Sequence, residues 1–188
     1  MAYYTLEQLK NLGFKYVGKE VKISDKASIY NHNCIEIGDY SRIDDFCIVS
    51  GNIKIGRNVH ITPNCLVAGG EKGIVFEDFT TIAYKVQVFT QSDDYSGMTM
   101  TNSTVPMEFK NEFKKEVLIK KYSIVGAGSI IMPGVILEEG TSVGAMSLVL
   151  KSTEPWGIYH GIPAKRYKDR YKNLLELEKQ YLKLYDTI

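Results

Sequence analysis

The chain has 188 residues, enough for one domain with a sizeable core, and its 44% hydrophobic and 24% charged content is ordinary for a globular protein. A formal net charge of +1 excludes the lopsided balance expected for holding a nucleic-acid backbone or an acidic membrane surface. Three cysteines without CxxC spacing, no apolar stretch near the roughly 20 residues of a membrane span, and an opening MAYYTLEQLK that lacks a signal-peptide pattern together predict a cytoplasmic protein with reduced thiols.

Residues 1–16 read as a cap. The run TLEQLKNL over 5–12 predicts a short helix, with Thr5 at its start and Gln8 three residues on. Such a cap would cover an open sheet edge that would otherwise invite pairing. Over 17–90 bulky aliphatics recur every six residues. They fall at Val17, Ile23 and Ile29, then at Ile37, Ile43, Val49, Ile55, Ile61 and Val67, and after a small insertion at Phe76, Ile82 and Val88. The series returns over 117–150 at Ile119, Val125, Ile131, Leu137, Val143 and Val149. The fourth residue after each is small or β-branched, as at Ser41, Cys47, Cys65, Thr80, Ser129 and Ser147. A period of six fits neither a helix nor a simple alternating strand. It fits short flat strands joined by turns, three hexads to a triangular coil with the aliphatics inside. The fold class is therefore all-β, a solenoid forming a single domain. Cys47 and Cys65 lie one coil apart and read as stacked core thiols.

Residues 91–116 lose the hexad. A segment of that length inside a compact domain is usually functional, and Met98, Met100, Met107, Phe109 and Phe113 argue against a solvated linker. It is expected to fold over a neighbouring subunit and wall one side of the site. Over 163–186 charged residues alternate with Tyr167, Tyr171, Leu174, Leu175, Leu182 and Leu184, which predicts an amphipathic helix.

The runs IEIGDYSRIDDFCIV, IKIGRNVHITPNCLV, YSIVGAGSIIMPGVILEEGTSVGAMSLV and GIPAKRY make the chain resemble the hexapeptide-repeat acyltransferases over about 17–166. That family includes galactoside and maltose acetyltransferases and nucleotide-sugar N-acyltransferases. The resemblance implies a left-handed parallel β-helix, a homotrimer with active sites between subunits, acyl-coenzyme A as co-substrate and a sugar or nucleotide-sugar acceptor.

A thioester is already activated, so the protein must position its carbonyl, supply a donor to the oxyanion and deal with the acceptor's proton. The turn Val125-Gly126-Ala127-Gly128 carries no bulky side chain. On the family pattern the Ala127 backbone N–H points at the thioester oxygen, and Gly126, Ala127 and Ala145 are assigned to the coenzyme. On spacing alone, the two glycines equally fit a coil corner and nothing more. In Gly161-Ile162-Pro163-Ala164-Lys165-Arg166, proline just inside a helix start would leave exposed amides that attract anions. The Pro-Ala-Lys part resembles the run at the coenzyme's adenosine and phosphate end, so Pro163, Lys165 and Arg166 are assigned there.

The run Thr90-Gln91-Ser92-Asp93-Asp94 departs from the family by placing glutamine where its catalytic histidine usually lies. Gln91 accepts no proton at neutral pH. Asp94, with Asp93 as second candidate, is left as hydrogen-bond partner and base, its pKa raised by burial against the loop's apolar residues. An amine needs less proton removal than a hydroxyl, so the substitution favours an amino-sugar acceptor, with Gln91, Ser92, Tyr84 and Glu108 expected to line its site. Two aspartates that merely cap a turn remain the plain alternative. His32, His60 and His160 share no coil position, so no metal is expected, although His60 and His160 stay candidates for lining the acceptor cleft. Transfer to a sugar hydroxyl, and a non-catalytic trimeric scaffold, are the competing functions. The Gly126–Gly128 turn and the Pro163–Arg166 run speak against the scaffold.

Overall fold

The computed structural model describes residues 2–185 and is a triangular β-solenoid. Strands of mostly two or three residues stack coil on coil into three parallel sheets. The first sheet runs Tyr16–Val17, Ile35–Ile37, Ile53–Ile55, Ile74–Phe76, Val117–Ile119, Ile136–Leu137. The second runs Lys22–Ile23, Arg42–Ile43, His60–Ile61, Thr81–Ile82, Ile124–Val125, Ser142–Val143, and ends with Gly157–His160 and the antiparallel Lys165–Asp169. The third runs Ser28–Ile29, Ile48–Ser50, Leu66–Ala68, Gln87–Phe89, Ile130–Ile131, Leu148–Val149.

The hexad aliphatics are in phase across the coils. Ile43 pairs with Ile61, Ile61 with Ile82, Ile82 with Val125 and Val125 with Val143, and all five are buried. Each such side chain contributes about 1.5–3 kcal/mol when fully removed from water. The small position faces the same interior at the corners, where a backbone carbonyl of the next coil lies within reach. Ser41 Oγ donates to Gly56 O at 2.7 Å and Ser129 Oγ to Gly144 O at 2.9 Å, so these buried hydroxyls are satisfied. Cys47 and Cys65 do the same with Thr62 O and Ala83 O. The neighbouring Cys65 sulfur and burial push the Cys47 thiol above its ordinary range, as suits an inert core thiol.

Helix α1 (Leu6–Asn11) caps the open end as expected. Thr5 accepts from Gln8 N and its own N–H donates to Gln8 Oε1, while Leu9 is buried over the first coil. Along the corner between the first and second sheets the chain takes positive φ at Tyr40, Asn58, Phe79, Tyr122, Gly140 and Trp156. Here Phe79 stacks on Tyr122 at 6.1 Å and Tyr122 contacts Trp156 at 5.9 Å. Gly140 must be glycine, because a Cβ there would lie 2.4 Å from the Trp156 ring. Helix α2 (Leu174–Tyr185) lies along this aromatic corner. Tyr181 meets Phe79 and Asn58, and Glu178 meets Lys121 and the Tyr122 hydroxyl.

The C-terminal expectation needs correction. Residues 165–169 form an exposed strand instead of the start of a helix, and Pro163 sits in the hairpin before it, behind a cis Ile162–Pro163 bond. The last coil leaves the edge of the second sheet unpaired, and satisfying that edge outweighs the helical periodicity of the side chains. The helix begins at Leu174, and position 186 of the expected helix lies outside the described residues.

The insertion 91–116 is ordered by its own contacts. Gln91–Ser92 pairs antiparallel with Phe113–Lys114, and Glu112 is clamped between Lys110 at 2.8 Å and Lys114 at 3.0 Å. The Lys110 and Glu112 side chains are only 4% and 6% exposed. Yet Met98, Met100, Met107, Phe109 and Phe113 all face outward, so the apolar surface expected to be covered is not covered by this chain.

Candidate active site

The corner between the second and third sheets explains how an amide is left free. At each turn the third residue's N–H donates to the second residue's carbonyl one coil earlier. This ladder is Asn64 N to Asp45 O, Lys85 N to Pro63 O, Gly128 N to Tyr84 O and Met146 N to Ala127 O, at 2.8–3.3 Å. The second residue's own N–H has no place in the ladder. Pro63 occupies this position without loss because no bond is forfeited there. Ala127 and Ala145 hold the same place, and among the described residues neither N–H has a protein acceptor.

What distinguishes Ala127 from Asp45, Pro63 and Tyr84 is the bare surface around it. Gly126 is required by the coil above, since a Cβ would lie 2.4 Å from Ala145 N, and Gly128 has φ +70° with Met146 Sδ against it. The glycines thus answer to packing, as Gly38 does beneath Gly56, and the functional signal is the small residue between them. The structure places Gly126, Ala127 and Ala145 in one strip that leads toward the hairpin of Pro163.

Lys165 is exposed at the far end of that strip. Arg166 turns back onto Asp169 at 2.6 Å and Glu154 at 3.3 Å, so its charge is already shared. With no helix start at Pro163, the anion-attracting amides expected there are absent.

Asp94 differs from its expectation. Ser96 N donates to Oδ1 at 2.8 Å and Thr99 Oγ1 to Oδ2 at 3.0 Å. The Ser96 bonds, and then that from Thr99, hold its carboxyl below the usual carboxylate range, where burial was expected to raise it. Asp93 accepts from Asn102 N at 3.4 Å. Asp94 therefore closes a turn while Asp93 ties together distant parts of the loop, and both line a loop cavity of about 610 Å³ with Tyr95, Thr99 and Asn102. Ser92 adjoins Asp93, Gln91 is exposed on the loop's strand, and Glu108 is exposed on the turn Met107–Phe109 outside that cavity. Tyr84 is on the corner with Ala127.

The predicted residues thus form two groups in one chain. The loop leaves the third sheet after Phe89, at the edge toward the first sheet, whereas Ala127 precedes Ile130 at the opposite edge. The three histidines stand apart: His32 against Phe14, His160 against Tyr167, and His60 on Asp44. No metal-holding cluster exists among the described residues, and none of their helices is long and apolar enough to cross a membrane. Sequence reasoning missed the Asp44 contact. Arg42 and His60 stack outward one coil apart and share that carboxylate, a pairing legible in their 18-residue spacing.

A family signature described as bacterial transferase hexapeptide (six repeats) matches residues 34–69. The chain is 44% identical over 181 residues, 95% of its length and 94% of the relative's, to dTDP-4-amino-4,6-dideoxy-D-glucose acyltransferase of Escherichia coli. It superposes with TM-score 0.96 and 45% identity, over 98% of both chains, on AntD, an N-acyltransferase from Bacillus cereus in complex with dTDP and 3-hydroxybutyryl-CoA. A variant of AntD with dTDP-4-amino-4,6-dideoxyglucose and coenzyme A matches with TM-score 0.96 and 46% identity, over 97% of this chain and 98% of that one. By its coils and by relatives spanning nearly its whole length, the chain belongs to the hexapeptide-repeat family of acyl-CoA-dependent acyltransferases.

Proposed function

We propose that the chain, as a homotrimer, transfers an acyl group from coenzyme A to the amino group of a thymidine-diphosphate-linked amino sugar. The observation that carries this reading is the Ala127 N–H without a protein acceptor, on a turn whose own residues Gly126, Ala127 and Gly128 carry nothing larger than a methyl group. The thioester carbonyl lies against that corner, and the amine adds to it. The developing oxyanion takes the Ala127 hydrogen bond. Addition forms the C–N bond, collapse of the oxyanion breaks the C–S bond, and the proton lost by the nitrogen ends on the departing sulfur, so amine and thioester become amide and thiol.

Asp94 accepts a hydrogen bond from the attacking nitrogen and orients its lone pair. Its lowered pKa suits that role better than proton removal from a hydroxyl, which favours nitrogen over oxygen as the nucleophile. The relatives support the same acceptor, since the E. coli enzyme is named for such a sugar and AntD has been solved with it. AntD structures with one aspartate replaced by alanine or asparagine still carry dTDP and coenzyme A. An enzyme drawing on acyl-coenzyme A works in the cytoplasm, where that thioester is made.

The outward face of the third sheet supports the trimer. The third sheet turns Ile48, Leu66, Ile130 and Leu148 outward with Ser28 and Gln87 among them, where the second shows Lys22, Arg42, His60, Thr81 and Ser142 with Ile124 as its one aliphatic among these positions. Three such apolar faces meeting about a threefold axis would bring each loop to a neighbour's Ala127 corner. Mixing subunits that carry Asp94→Asn with subunits that carry Ala127→Pro should then restore activity to about a quarter of sites. No recovery after refolding the mixture would refute shared sites. For the reaction, thiol release from acetyl-CoA is measured with dTDP-4-amino-4,6-dideoxyglucose, the free amino sugar and a hydroxy sugar. Rapid release with the first alone is expected. Release only with the hydroxy sugar would establish oxygen transfer instead, and silence with all three would leave a scaffold.

A further inference from the structure

The loop that carries Asp94 buries a charged pair although it lies outside the solenoid core. The Lys110 and Glu112 side chains are 4% and 6% exposed, while Tyr95 and Met98 of the same loop stand almost wholly in solvent. Removing two charges from water is unfavourable, and apolar side chains of similar size would fill the place with less loss. Nor is the pair needed to keep the ends of the loop together. Gln91–Ser92 already pairs with Phe113–Lys114, and Lys115 N donates to Thr90 O at 2.9 Å. What an apolar pair could not do is donate. Lys110 Nζ donates to Glu112 Oε1 at 2.8 Å and, across eight residues of chain, to the carbonyl of Asn102 at 2.9 Å. Lys114 Nζ lies 3.0 Å from the other Glu112 oxygen, so the carboxylate is held from both sides.

The stretch that Lys110 reaches is the one that holds the two aspartates. Met100 N donates to Phe109 O at 3.0 Å, and Met100 bridges to Lys110, which lays residues 99–102 against 109–110. From that stretch Thr99 Oγ1 donates to Asp94 Oδ2 at 3.0 Å and Asn102 N to Asp93 Oδ2 at 3.4 Å. The bond from Ser96 N to Asp94 Oδ1 is made within the turn itself, two residues on, so it moves with Asp94 and cannot fix the turn to the rest of the loop. The Thr99 bond can. We infer that Lys110, held by Glu112, is a positioning residue for Asp94: it anchors residues 99–102, and Thr99 passes that anchorage to the carboxylate that orients the attacking nitrogen. This rests on the proposed reaction. Lys110 lies outside the lining of the loop cavity, so it acts through the groups it holds. A reacting group displaced by about 1 Å loses up to about 10²-fold in rate, so a loosened anchor is felt in kcat.

Turnover of acetyl-CoA with dTDP-4-amino-4,6-dideoxyglucose tests the assignment in the full-length parent, Lys110→Met, Asp94→Asn and the variant carrying both changes. Lys110→Met should lower kcat by about 10- to 10²-fold, while KM for the nucleotide sugar and the calorimetric affinity for coenzyme A stay within about threefold. The same change made on Asp94→Asn should alter kcat by less than about twofold, because the group through which Lys110 acts is then gone. A pair that merely stiffened the loop would lower both backgrounds alike and raise KM. Parent-like kcat in Lys110→Met, or a loss that multiplies with that of Asp94→Asn, would overturn the inference. Parent-like kcat in Asp94→Asn would instead overturn the part given to Asp94 in the proposed reaction. If Lys110→Met fails to fold, Thr99→Val decides in the same cycle. It removes only the bond to Asp94 and should lower kcat by about tenfold, again only while Asp94 is present. Parent-like turnover in Thr99→Val would overturn the inference as well.

Discussion

Ala127→Pro should lower kcat by about 10²–10³-fold while leaving the trimer intact and the thermal midpoint within a few degrees of the parent. The two halves of this expectation have separate grounds. The fold tolerates the change because the Ala127 N–H joins no hydrogen bond, and Pro63 already occupies the same corner position two coils below. The reaction does not, because the only group removed is the proposed oxyanion donor. Coenzyme A without an acyl group carries no such oxygen, so its affinity should change by no more than a few fold in calorimetry. Turnover within threefold of the parent would move the oxyanion donor elsewhere.

Asp94→Asn should cut kcat by about 10²-fold or more, again with the trimer and coenzyme affinity unchanged. The asparagine can keep the bonds from Ser96 N and Thr99 Oγ1, so the turn is preserved and what is lost is the negative charge. Because the folded-state pKa of Asp94 is lowered, its carboxylate is fully formed above the ordinary aspartate value and is lost only as pH falls through the lowered one. The rising limb of kcat/KM near neutrality should therefore follow the acceptor's ammonium group. Two acceptors with amines of different basicity should displace that limb by the difference between them. A limb indifferent to the acceptor, or a variant within threefold of the parent, would remove Asp94 from the reaction.

The solenoid was legible because its cause is a one-dimensional pattern. Every sixth residue from Ile37 to Val67 faces inward, and no other arrangement of those side chains buries them all. The Thr5–Gln8 cap was legible for the same reason, since both partners are local. The strand at 165–169 was not, because its partner is the unpaired edge left by Gly157–His160, a demand of tertiary structure that the alternation of Tyr167 and Tyr171 does not record. At the site, the glycine corner was found but its meaning shifted. Gly126 and Gly128 serve packing, and only the ladder of corner bonds shows why the N–H of Ala127 is left over. Asp94 was singled out by its place in the run, yet its environment was misjudged. Hydrophobic composition suggested burial, while Ser96 and Thr99 supply hydrogen bonds that act the other way.

The corner repeats the same position outside the ladder at successive storeys of the prism, filled by Asp45, Pro63, Tyr84, Ala127 and Ala145 in turn, so the molecule behaves as a graduated ruler. On the proposed reaction the thioester docks at a storey that lacks bulk, and every landmark for a long ligand lies a whole number of graduations away, about 4.8 Å each. Adding or deleting a complete 18-residue storey would move one end of such a ligand's berth without disturbing either station. Acceptors of different length can thus be matched by counting storeys, with no redesign of the chemistry.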